Sequence, residues 1–150
     1  RSGTENVAGI AGFAAAAEAA LRDLAAGAWE RVAQLRDILE SALEAGSPDT
    51  ILVGRPSRRL PNTTLALSPG WKGETQVMAM DLAGFAVSSG SACSSGKVRA
   101  SRTLRAMGYD EALAACALRV SLGPRTTEEE VLRFAEAFAA ARRKQQSRAA

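Results

Sequence analysis

Cys93 stands in Ser88-Ser89-Gly90-Ser91-Ala92-Cys93-Ser94-Ser95-Gly96-Lys97, a stretch built almost entirely of the smallest residues. Two glycines and five serines leave the backbone free to move and the sulfur open to approach. Lys97, Arg99 and Arg102 follow, a cationic neighbourhood that favours thiolate over thiol. These residue types allow a reactive thiol; the competing reading is a flexible surface loop whose cysteine is incidental. The second cysteine, Cys116, lies in the apolar run Leu113-Ala114-Ala115-Cys116-Ala117-Leu118 and reads as a buried structural thiol. The chain has no histidine, so a Cys–His dyad, a His-ligated metal and a histidine general base are excluded, and no metal site is expected. Whatever activates Cys93 must come from cations, helix ends or another part of a larger assembly.

Two further positions could meet an anion. Leu118-Arg119-Val120-Ser121-Leu122 alternates as a strand does, with three apolar side chains on one face and Arg119 and Ser121 on the other. By itself Arg119 reads as a solvated strand arginine. Ser2-Gly3-Thr4-Glu5 has the form of a capping box and predicts a helix beginning near Thr4, whose free N–H groups beside the Thr4 hydroxyl would suit a phosphate. An ordinary helix cap is the competing reading.

The elements that must position these groups follow from periodicity. Val7, Ile10, Ala14, Ala17, Leu21 and Leu24 continue the first helix; after Gly27, Trp29, Val32, Leu35, Ile38, Leu39, Ala42 and Leu43 form the stripe of a second, with Arg31, Arg36, Asp37 and Glu40 largely outside it. Gly46-Ser47-Pro48 breaks the pattern and divides a helical connector, residues 1–45, from a small domain, residues 46–150. There the period changes: Thr50 to Val53 and Thr63 to Leu67 read as strands around a loop carrying Arg55, Arg58 and Arg59. A helix from Glu74 to Leu82 stops at Gly84, and Phe85 to Ser88 is the next strand, leading into the cysteine loop. A short helix from Ser101 to Met107 ends at Gly108, and Asp110 caps another turn. Thr126 and Thr127, each three residues before a glutamate, cap a last helix with the stripe Val131, Phe134, Ala135, Phe138 and Ala141. The interleaving suggests an α+β fold, with an antiparallel or mixed sheet covered by helices on one face and preceded by long helices.

At 150 residues, 47% hydrophobic and 23% charged, the composition is that of an ordinary globular domain. No apolar run approaches a membrane span and the start lacks a signal-peptide layout, so a cytoplasmic protein is expected. The net charge of +3 gathers near the end at Arg142-Arg143-Lys144 and Arg148, which reads as a solvated helix end complementing the helix dipole, and no nucleic-acid partner is expected.

Taken together, Arg1-Ser2-Gly3-Thr4-Glu5-Asn6-Val7, Arg59-Leu60-Pro61-Asn62-Thr63, the cysteine loop, and Leu118-Arg119-Val120-Ser121-Leu122-Gly123 followed by Thr126-Thr127-Glu128 resemble the C-terminal part of cysteine desulfurases, in that family's order and spacing. The serine-rich loop is similar to the branch that supplies sulfur for iron–sulfur cluster assembly. The resemblance implies the C-terminal small domain of an enzyme with the aspartate-aminotransferase fold (fold type I), dependent on pyridoxal 5'-phosphate, which converts L-cysteine to L-alanine and keeps the sulfur as a persulfide. On matching positions Cys93 is the nucleophile that becomes the persulfide and hands its outer sulfur to an acceptor or iron–sulfur scaffold protein. The small residues around it would then let it travel. Arg119 grips the substrate carboxylate, which a guanidinium fork holds bidentately. Thr4 contacts the cofactor phosphate across the interface of a homodimer.

Departures from the family are as informative. Its cofactor-binding lysine follows a serine-x-histidine pattern that is absent, as are its aspartate partner for the pyridine nitrogen and its stacking histidine. Lys97 follows Ser94-Ser95-Gly96, has no histidine before it and aligns with the end of the cysteine loop, so it is not the Schiff-base lysine. Ala100-Ser101-Arg102 stands where related sequences often read proline-serine-histidine, which leaves open how the following helix begins. The expectation is a fragment inactive by itself, with most of the cofactor site in a large domain; the alternative is a stand-alone sulfur-carrier or interaction module using Cys93 as an acceptor thiol.

Overall fold

A computed structural model describes residues 3–90 and 101–149. Two long helices, α1 (Val7–Ala25) and α2 (Ala28–Gly46), precede a three-stranded antiparallel sheet of β1 (Ile51–Leu52), β2 (Thr63–Leu67) and β3 (Ala117–Ser121), in the order β1-β2-β3. Between β2 and β3 run α3 (Gly73–Leu82) and the short α4 (Arg102–Ala106) and α5 (Glu111–Ala114); α6 (Glu128–Ala149) closes the chain.

The alternation in β3 sorts its side chains as the sequence requires. Leu118 and Val120 point into the main core with Val32, Leu35, Leu39 and Leu43 of α2, Met80 of α3 and Val131, Phe134 and Phe138 of α6. Complete burial of such side chains contributes about 1.5–3 kcal/mol each. On the opposite face, Leu67 and Ala117 meet Leu104 and Ala114, so α4 and α5 cover one end and leave Arg119 exposed. The fold is thus the expected α+β arrangement, with the long helices α2 and α6 on one face of a small sheet.

α2 and α1 differ sharply. The stripe of α2 is part of the main core, whereas α1 buries no residue and leaves Val7, Ile10, Phe13, Leu21 and Leu24 bare. Gly84 and Gly108, at φ +85° and +93°, end α3 and α4 in the left-handed conformation that glycine adopts without penalty.

Several local expectations are corrected. α1 starts at Val7, because the Asn6 side chain accepts from the Gly9 N–H at 3.0 Å and takes the cap assigned to Thr4. Phe85 to Ser88 is no strand; it pairs only at Ser88, and the Phe85 ring turns inward to meet Phe134 edge-on at 5.4 Å. Thr127 forms the reciprocal cap of α6 with Glu130, while the Thr126 hydroxyl accepts from Gly123 instead. Arg142 is not a solvated helix end: it is 4% exposed, donates to Asp49, to Pro69 O at 2.7 Å and to Gln145 Oε1 at 2.7 Å, and lies over the Trp71 ring.

Glu40 overturns its placement outside the α2 stripe. It is 1% exposed, and its carboxylate takes both arms of the Arg59 guanidinium at 2.6 Å and the Thr64 hydroxyl at 2.8 Å. Burial opposes its charge, but the Arg59 and Thr64 hydrogen bonds and the Arg59 and Arg36 charges outweigh that and hold its pKa below the ordinary glutamate value. The Arg59 pKa is raised in turn, chiefly by its hydrogen bonds to Glu40. Arg59-Leu60-Pro61-Asn62-Thr63 therefore fastens β2 to α2 by a fork that only an arginine supplies.

Candidate substrate-binding edge and cysteine segment

Arg119 is the centre of β3, opposite Leu65 of β2, with its side chain exposed on the face that α4 and α5 leave open. On its other side the strand is an edge, and Ser88 closes it: Ser88 N–H donates to Arg119 O at 3.1 Å, and Arg119 N–H donates to Ser88 O at 2.7 Å. The expected separation of Arg119 from the core holds. The pairing with Ser88 is a finding that periodicity could not supply, because a single bridge has no period.

Ser88 opens, in sequence, the small-residue segment that carries the cysteine. Cys93, Lys97 and Arg99 lie outside the described residues. Cys93 follows Ser88 by five positions, so the backbone between them spans at most about 18 Å. Beyond the segment, Ser101 caps α4 by accepting from the Leu104 N–H at 3.3 Å, so the helix keeps its capping residue despite the sequence departure there; Arg102 opens that helix and is exposed. Cys116 is buried, with its thiol directed at Ala112 O at 3.3 Å, as its apolar setting led one to expect. A groove of about 340 Å³ runs beside the same edge between Phe85, Val87, Val120, Ser121 and α6, but Arg119 is not part of its lining.

Thr4 is exposed and precedes α1 by three positions; Asn6, not Thr4, caps that helix. The described residues do not fit a pyridoxal phosphate site. Their two lysines, Lys72 at the start of α3 and Lys144 on α6, are both exposed, and the hollows that they line do not include Arg119.

Arg119 thus lies on an open sheet face, hydrogen-bonded through its backbone to Ser88, five positions before Cys93 in the sequence. Comparison with known proteins gives the family. The model of aminotransferase class-V proteins matches residues 1–134, and the chain belongs to that family, on its cysteine desulfurase branch. It is 43% identical over 136 residues to a cysteine desulfurase of Cereibacter sphaeroides, covering 91% of this chain and 34% of that protein. It is 46% identical over 131 residues to the cysteine desulfurase IscS of an Anaeromyxobacter species, covering 87% and 32% respectively. Among solved structures, a NifS-like protein from Rickettsia africae superposes with a TM-score of 0.80 at 33% identity, over 93% of this chain and 36% of that one. The chain spans about a third of the length of the relatives it matches, their C-terminal portion.

Proposed function

We propose that this chain is the C-terminal part of a cytoplasmic cysteine desulfurase that converts L-cysteine to L-alanine and a persulfide on Cys93, for delivery to an acceptor or scaffold protein of iron–sulfur cluster assembly. The observation that carries the reading is the reciprocal backbone pairing of Arg119 with Ser88, which ties the carboxylate-binding arginine to the base of the cysteine segment. The main pyridoxal 5'-phosphate site belongs to the large domain of the complete protein, where the cofactor would supply the activation that weakens the substrate carbon–sulfur bond.

Within that frame each residue has a defined task. Arg119 holds the substrate carboxylate by its guanidinium fork and so fixes the direction in which the substrate sulfur projects. The Cys93 thiolate attacks that sulfur; a sulfur–sulfur bond forms as the substrate carbon–sulfur bond breaks, and the electron pair left on carbon takes a proton to become the alanine methyl group. Thr4 would help hold the cofactor phosphate of a second subunit in a homodimer. Residues 1–45 are the connector to the large domain and residues 46–150 the small domain. The bare apolar stripe of α1 supports a connecting role for the first part of the connector, since such a stripe needs a partner; α2, at the end of the same segment, packs into one core with β3 and α6.

The test is the complete protein with Cys93→Ala. Persulfide formation should vanish while the cofactor absorbance stays; a variant that still accumulates persulfide removes Cys93 from the mechanism.

A further inference from the structure

Gly73, the first residue of α3, is buried and donates its N–H to Ala115 O at 2.9 Å. A Cβ at this position would stand 2.5 Å from the carbonyl oxygen of Ala117 and 2.9 Å from Ser89 Cβ. Gly73 is not among the glycines at positive φ, so close approach rather than backbone conformation demands glycine here. Both neighbours matter to Arg119. Ala117 O belongs to β3 two residues before it, and Ser89 directly follows the Ser88 that exchanges both backbone hydrogen bonds with it. The Ser88–Ser89 segment is thus seated between the start of α3 and the strand edge, and nothing larger than a hydrogen fits at Gly73 without displacing backbone.

We propose that Gly73 is a positioning residue for Arg119: its missing side chain lets α3 press Ser88 and Ser89 against β3, which fixes where the guanidinium emerges. The inference rests on the reading of Arg119 as the carboxylate grip. Gly73→Ala must move Ala117 O or Ser89, or both, to restore an ordinary contact, and misplacement of a binding group by about 1 Å costs up to ~100-fold.

Steady-state kinetics of the complete enzyme test it, with thermal melts to verify folding. Gly73→Ala should raise KM for L-cysteine by about tenfold and lower kcat by less than that, the pattern of a displaced substrate-binding group. Ser89→Gly deletes the same contact without adding an atom and should raise KM in the same sense by a smaller factor; it decides the matter if Gly73→Ala does not fold. Arg119→Ala runs in parallel. If Arg119→Ala raises KM but the folded variants at Gly73 and Ser89 leave it unchanged, or lower kcat alone, the inference fails and the reading of Arg119 stands. If Arg119→Ala leaves KM unchanged, the underlying reading fails.

Discussion

Arg59→Ala should cost about 3–5 kcal/mol at neutral pH, because it strands a buried carboxylate. Glu40 is 1% exposed and receives both Arg59 arms at 2.6 Å; without them it keeps the Thr64 hydroxyl at 2.8 Å and Arg55 Nε at 3.9 Å. Arg55 and Arg36 soften the loss, which places the expectation nearer 3 than 5 kcal/mol, on the scale for breaking buried pairs. At 2–4 °C per kcal/mol for a chain of this size, Tm should fall by roughly 6–20 °C. Glu40→Gln should cost less, since the freed Arg59, 19% exposed, can turn toward water. The pH dependence has a definite sign. Glu40 has a folded pKa below its unfolded value, so its contribution is fully present above about pH 4.3 and is lost as pH falls through the folded pKa. Urea melts of the chain and both variants at pH 7 and at pH 3 are the assay. The gap between Arg59→Ala and the parent should be full at pH 7 and narrower at pH 3. A gap below about 1 kcal/mol at pH 7, the size of an exposed pair, would refute the reasoning.

Further expectations follow from the same contacts. Asp49→Asn should destabilise less than Arg59→Ala, because Asp49 is 40% exposed and Arg142 keeps Pro69 O and Gln145; urea midpoints compare the two. The Asp49 pKa is lowered chiefly by its hydrogen bond to Arg142, so this contribution too should fade in acid, and a variant whose deficit grows below pH 4 would contradict it. Asn6→Ala should fray the start of α1 at a cost of about 1 kcal/mol, seen as faster amide exchange there and unchanged exchange in α6. The 150-residue chain incubated with pyridoxal phosphate and L-cysteine should yield no alanine, and catalytic turnover would show that it holds a cofactor site of its own.

Periodicity made most of the fold legible, and the failures share a cause. The stripes of α2 and α6, the alternation of β3 and the stops at Gly84 and Gly108 are local signals, and each is met. Glu40 and Arg142 read as outward in the sequence because a charged side chain carries no mark of the partner that will bury it; Arg59 lies 19 positions from Glu40 and Asp49 lies 93 from Arg142. Asn6 stands directly before the apolar Val7, where a capping residue belongs, and the capping-box form of Ser2 to Glu5 is a competing signal just before it. The strand expected at Phe85 is a single bridge at Ser88, with the Phe85 ring set edge-on against Phe134. Arg119 was legible twice, as the outward residue of an alternating strand and as part of a familiar run. Its pairing with Ser88 and the tight seat at Gly73 needed the fold.

Mass analysis of the peptide carrying Cys93, taken from the complete protein after brief exposure to L-cysteine under non-reducing conditions, tests the central claim most directly. The account predicts a peptide heavier by one sulfur atom, appearing in step with alanine and lost on adding a thiol reductant. Alanine formed at full rate while that peptide stays unmodified would contradict it.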